Sequence, residues 1–142
     1  MKVKWEGEFL ERLKDVSNPS RIIFAHQDFF IKVDHRPEAA WQTRQTAREL
    51  EFYDTLEEDK EHFAQILESG KTKRGKWWIR QKRYYPDRTA NRNNIITLLA
   101  LEFKYNLADI TYDTKPPFFE QHSNWMVSEG EVIVYDWGGY KA

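Results

Sequence analysis

The sequence predicts an α+β fold, and three observations lead there. Apolar segments of strand length occur in pairs joined by short polar turns. Two longer segments repeat their apolar residues with the period of a helix. The order along the chain is strand, strand, helix, strand, strand, helix, loop, hairpin. A length of 142 residues suits one domain spanning 1–142. Aromatic residues make up 15% of the chain, enough core-forming surface to exclude disorder despite 32% charge.

Each element has its own signal. Residues 5–16 fit a short helix, with Phe9, Leu10, Leu13 and Val16 near one face. Ser17-Asn18-Pro19-Ser20 reads as a turn. Residues 22–24 and 29–33 read as a hairpin around the polar His26-Gln27-Asp28. Pro37 suits the first turn of a helix running to Glu57, along which Trp41, Gln45, Glu49, Phe52 and Leu56 share a face. Residues 62–67 and 76–85 are two more strands, separated by Ser69-Gly70 and a basic turn. A second helix is expected over 93–107, with Ile96, Leu99, Phe103 and Leu107 as its apolar stripe. Pro116-Pro117 marks a loop, and residues 125–127 and 132–135 form a last hairpin turning at Ser128-Glu129-Gly130.

Composition narrows the function. The net charge of −1 excludes a uniformly basic nucleic-acid coat, and the lack of Cys excludes disulfides and thiolate chemistry. No apolar run approaches the roughly 20 residues of a membrane span, and the N-terminus places charges where a signal peptide needs apolar residues. The expectation is a cytoplasmic protein with no membrane partner. His26, His35, His62 and His122 are scattered without metal-ligand spacing. Neither a Gly-x-x-x-x-Gly-Lys-Ser/Thr loop nor a Gly-x-Ser-x-Gly elbow is present.

The charge is unevenly distributed. Residues 71–92 hold nine basic side chains against Asp87 alone, a local +8 in a chain of net −1. Trp77, Trp78, Tyr84 and Tyr85 are interleaved with them. Cations that neutralise phosphates and rings that stack on bases make nucleic acid one candidate partner. The same pattern fits an amphipathic strand pair with one solvated face.

Four residues carry the chemistry. Lys32 sits in an otherwise apolar strand and Glu49 on the inward face of the next helix, where either charge alone would be costly to bury. A Lys–Glu pair across strand and helix resolves both. Asn124 precedes one strand of the last hairpin and Asp136 follows the other. A hairpin brings such ends together, and an amide oxygen beside a carboxylate suits a hard cation such as Mg²⁺.

Together these features resemble the protein kinase fold. Phe30-Ile31-Lys32-Val33 resembles the strand with the phosphate-binding Lys, and Arg48-Glu49-Leu50-Glu51-Phe52-Tyr53 the helix whose Glu pairs with it. His122-Ser123-Asn124-Trp125-Met126-Val127 resembles the end of the catalytic loop, and Asp136-Trp137-Gly138 the Asp-Phe-Gly element. The resemblance implies a kinase-like N-lobe over about 1–85, an antiparallel sheet plus one helix. A minimal, truncated C-lobe of helix and hairpin follows over 86–142. It implies ATP and Mg²⁺ as cofactors, with Lys32 on the phosphates, Glu49 orienting Lys32, and Asn124 and Asp136 on the metal. The family's glycine-rich loop is replaced by Asn18-Pro19-Ser20-Arg21, which leaves Ser20 to approach the nucleotide. Phe119 stands where the family has its catalytic Asp, so Glu120, one residue on, is the candidate base. The missing base favours a pseudokinase that acts by binding a host protein over a weak phosphotransferase. Short kinase-like proteins of this kind occur in tailed phages, which implies a phage protein in the host cytoplasm. A homodimer is a further expectation. The reading from another class is a small non-enzymatic regulator that binds nucleic acid or a host protein through residues 71–92.

Overall fold

The computed structural model describes residues 2–5, 8–12, 21–34, 45–86, 90–107, 125–135 and 137. The fold is α+β. Strands β1 (Lys2–Trp5), β2 (Glu8–Arg12), β3 (Arg21–Ala25) and β4 (Phe29–Asp34) lead into helix α1 (Gln45–Thr55). Strands β5 (Ile66–Lys71) and β6 (Trp77–Lys82), helix α2 (Arg92–Tyr105) and the hairpin β7 (Trp125–Ser128) and β8 (Glu131–Val134) follow. The chain divides into two compact units, 1–57 with 65–83, and 58–64 with 84–142.

The first unit is a six-stranded antiparallel sheet in the order β1-β2-β3-β4-β6-β5, with α1 packed on β4 and β6. The β3–β4 hairpin forms as expected. His26 N donates to Phe29 O at 2.9 Å, and Asp28 N donates to His26 Nδ1 at 3.1 Å. Antiparallel register places Arg21 opposite Asp34, Ile23 opposite Lys32, and Lys32 opposite Ile79 of β6. Because strand side chains alternate in direction, Arg21, Ile23, Lys32, Asp34 and Ile79 share the face that receives α1. Leu10, Phe29 and Ile31 form an apolar cluster on the other face, with Phe24 and Val33 against it.

Two local expectations are corrected. The helix expected over 5–16 is replaced by strands β1 and β2, with Val3 opposite Leu10. Leu10 is buried against Phe29 and Ile31, and this long-range packing outweighs a helical period carried by few residues. The strand expected over 62–67 begins at Ile66 instead and runs through Ser69-Gly70, which the sequence marks as a turn. Gly70 lies under Trp78 of β6, where an added Cβ would stand 2.8 Å from the indole ring. A side chain is excluded there by that close approach, and the strand continues. The turn falls at 72–76, closed by Thr72 N donating to Lys76 O at 2.8 Å, with Gly75 at φ 77°. Helix α1 spans the expected 45–55; its proposed earlier turns, with Trp41, lie outside the described residues.

In the second unit Phe63 packs edge-on against Trp137 and Tyr105, at centroid distances of 5.4 and 5.8 Å. A single turn of 3-10 helix, Lys60–His62, precedes it. Ala64 N donates to Val134 O at 2.8 Å, tying this segment to β8. The β7–β8 hairpin turns at Glu129 and Gly130, with φ of 52° and 80°. Two left-handed central residues match the twist of a two-residue hairpin loop. Helix α2 starts at a reciprocal cap: Asn94 N donates to Asn91 Oδ1, Asn91 N donates to Asn94 Oδ1, both at 2.9 Å. Asn94 Nδ2 donates to Gly130 O at 3.1 Å and ties the helix start to the hairpin turn.

The stripe assigned to α2 is corrected. Leu107, just beyond the helix, is buried, but Ile96, Leu99 and Phe103 are exposed, and the buried face carries Asn94, Leu98 and Leu101. Two apolar stripes compete on this helix. The cap and the Asn94–Gly130 bond orient it so that the Leu98–Leu101 side turns inward.

The cap yields a test. Asn91→Ala is expected to lower unfolding stability by about 1 kcal/mol and Asn91→Gly by only a few tenths. Urea denaturation of the three proteins measures the difference.

Candidate functional site

The site is built on the sheet face that receives α1. Alternation along β4 turns Lys32 and Asp34 toward the helix, and α1 presents Glu49 to them. Lys32 Nζ donates to Glu49 Oε1 at 3.2 Å and to Oε2 at 3.4 Å. Arg21, from β3, pairs with the same carboxylate, its guanidinium Nη1 lying 3.0 Å from Oε1. All three are buried, Lys32 and Arg21 at 3% exposure and Glu49 at 0%.

Asp34 completes the cluster. Its two carboxylate oxygens accept from the amides of Thr46 and Ala47, at 3.0 and 3.2 Å, in the first turn of α1. First-turn amides have no partner within a helix and carry the positive end of its dipole, so a carboxylate there satisfies both. Burial pushes the Asp34 carboxyl above the usual carboxylate range; the Thr46 and Ala47 amides, the Thr46 hydroxyl and the Arg21 charge draw it part of the way back. With all four groups ionised, two cations face two carboxylates and the buried cluster is neutral.

Among the sequence-predicted residues, the structure brings Lys32 and Glu49 together. Ser20, Glu120, Asn124 and Asp136 lie outside the described residues. The β7–β8 hairpin between Asn124 and Asp136 is formed, with Trp125 opposite Val134. Among the described residues there is no group of three acidic or His side chains able to hold a metal ion, and no helix is long and apolar enough to cross a membrane. Arg21 and Asp34 escaped the sequence reading. The signal was present: once residues 26–28 are the turn, alternation places positions 21, 23, 32 and 34 on one face.

The basic stretch divides between its two faces. Ile79 is buried on the α1 face, while Arg80 lies on the other, its Nε donating to Glu68 Oε2 at 3.2 Å. Arg83 donates to His26 O at 2.9 Å and lies 4.9 Å from the Phe30 ring centroid. Lys71 Nζ stands 5.0 Å from the Trp77 ring. Arg80 and Arg83 therefore support the sheet, and the exposed charge of Lys71, Lys73 and Arg74 gathers around the β5–β6 turn.

No family model matches the chain, and no curated protein does either.

The cluster's architecture sets an order of mutational cost. Glu49→Gln leaves two buried cations facing a neutral amide and is expected to cost about 3–5 kcal/mol of stability. Lys32→Met leaves the Arg21–Glu49 pair and is expected to cost clearly less. Chemical denaturation of both variants gives the ranking.

The raised Asp34 carboxyl sets a pH dependence. Between 3.8 and its folded-state value the native chain binds the extra proton, so this group's contribution to stability falls as pH rises through that window. The stability of wild type relative to Asp34→Asn is expected to decline across the same window, as measured by urea melts at a series of pH values.

Proposed function

We propose that this chain is a kinase-like protein of the pseudokinase kind, in which the nucleotide site survives as a remnant and the output is binding to a host protein. The observation that carries the reading is the buried Lys32–Glu49 pair, joining a central strand to the helix that follows it. Protein kinases use a Lys–Glu pair on a strand and a helix to aim the Lys at the nucleotide's phosphates. Here the pair sits on the fourth of four strands and on the helix that follows, with two strands, a second helix and a hairpin after them.

The same geometry favours the remnant over the working enzyme. Lys32 is 3% exposed, and it is this burial, not the pairing with Glu49 that working kinases share, that withholds its ammonium from a ligand. Arg21 adds a second cation to Glu49, which makes the pair a structural junction. When bound, ATP with Mg²⁺ would supply a transferable phosphoryl group. Asn124 and Asp136, the residues that would hold the metal, lie outside the described residues. The alternative, a regulator that binds a polyanion through residues 71–92, draws its support from the exposed cations around the β5–β6 turn.

Two measurements test the proposal. Incubation with γ-labelled ATP and Mg²⁺ is expected to leave the protein and general kinase substrates unlabelled, and Mg-ATP is expected to leave the melting curve unchanged. A working site would raise stability by roughly 2.7 kcal/mol at 100 times Kd. Stabilisation of that kind, abolished by Lys32→Met, would overturn the remnant reading. A crystal structure in which Asn124 and Asp136 fail to meet at the open end of the hairpin would remove the kinase-like frame altogether.

A further inference from the structure

Three large apolar side chains stand in solvent on one face of α2. Ile96 and Leu99 are about half exposed and Phe103 is 92% exposed. Isolated surface apolar residues are ordinary, but these are not isolated. Positions 96, 99 and 103 follow spacings of three and four along the helix, and Arg92, four residues earlier, extends the row. The series 92, 96, 99, 103 is the spacing of a coiled-coil seam. The opposite face of α2, with Asn94, Leu98 and Leu101, is already buried in its own unit.

We propose that this seam is a self-association surface, on which two copies of the chain pair α2 against α2 in antiparallel orientation. The occupant is a second copy because the seam is complementary to itself. Ile96 and Leu99 are equidistant from a point between positions 97 and 98, and so are Arg92 and Phe103. A twofold axis at that point sets Ile96 of one copy on Leu99 of the other. It also sets the Arg92 guanidinium over the other copy's Phe103 ring and beside its Glu102, a cation–π contact with a charge partner. A parallel pair would oppose Arg92 to Arg92 and Glu102 to Glu102. The antiparallel arrangement also opposes the two helix dipoles favourably. Lys104, the other cation near the end of the seam, is held by Glu58 and Asp59 at 2.8 Å each.

A seam of three turns buries less than the roughly 800 Å² per partner of a standard interface, so the dimer is weak and concentration-dependent. Sedimentation velocity of the full chain from micromolar to millimolar loading provides the test. The weight-average mass is expected to rise from one chain toward two. Phe103→Glu, at a solvent-exposed position, is expected to leave the melting curve intact and weaken dimerisation by about tenfold or more, as loss of a central anchor does. Arg92→Glu is expected to weaken it as well, and the double variant Arg92→Glu/Glu102→Arg to restore it. A wild type that stays monomeric to millimolar concentration, or a dimer indifferent to Phe103→Glu, overturns the proposal. Failure of the charge exchange to restore pairing overturns the antiparallel register.

Discussion

The Glu49 carboxylate is the constraint around which the first unit is organised. It sits in the interior with no exposure, where an ionised carboxylate unpartnered by cations would cost several kcal/mol. Arg21 and Lys32, from adjacent strands, supply two cations within 3.2 Å. Asp34 then returns the cluster to neutrality and uses its charge to start the helix that delivers Glu49. Sheet and helix are thus coupled through charge at both ends of the contact. Helix α1 can keep its position only if β3 and β4 keep their register, since a one-residue slip of either strand would turn that strand's charges to the opposite face.

Such a cluster is weak evidence for stability in itself, because an apolar replacement of the same shape is often as stable. What it confers is specificity of placement. A core of Leu and Ile tolerates small rotations of a helix over a sheet, whereas a carboxylate shared by two buried cations does not. Arg21 and Lys32 together hold the Glu49 carboxylate from two adjacent strands.

The second unit is organised differently, by packing and backbone caps. Phe63 and Trp137 meet edge-on, and the helix is oriented by the Asn91–Asn94 cap and its bond to the hairpin turn. Orienting α2 through its N-terminus leaves Ile96, Leu99 and Phe103 outside, although their spacing is as regular as that of the buried set. Periodicity alone measures how apolar residues are spaced along a helix and not which side the rest of the chain covers. Two stripes of similar strength therefore leave the choice to tertiary contacts.

The sequence by itself determined the α+β class, the β3–β4 hairpin, both helices and the last hairpin, because each rests on local chemistry. The polar 26–28 turn, the period of 45–56 and the Glu129-Gly130 turn act over a few residues. It also determined that Lys32 and Glu49 had to find partners, since neither charge is tolerated alone among the apolar residues beside it. Only the tertiary structure decided that Arg21 shares Glu49 and that Asp34 caps α1, for these depend on strand register and on where the helix lands. The first strands belong to the same category: Leu10 joins Phe29 and Ile31 across the sheet, and that burial overrode the helical spacing of residues 5–16. Gly70 shows the reverse side of the same rule. Its neighbours in sequence signal a turn, but the indole of Trp78 on the adjacent strand needs a residue without a side chain, and a contact from outside the segment decided the matter.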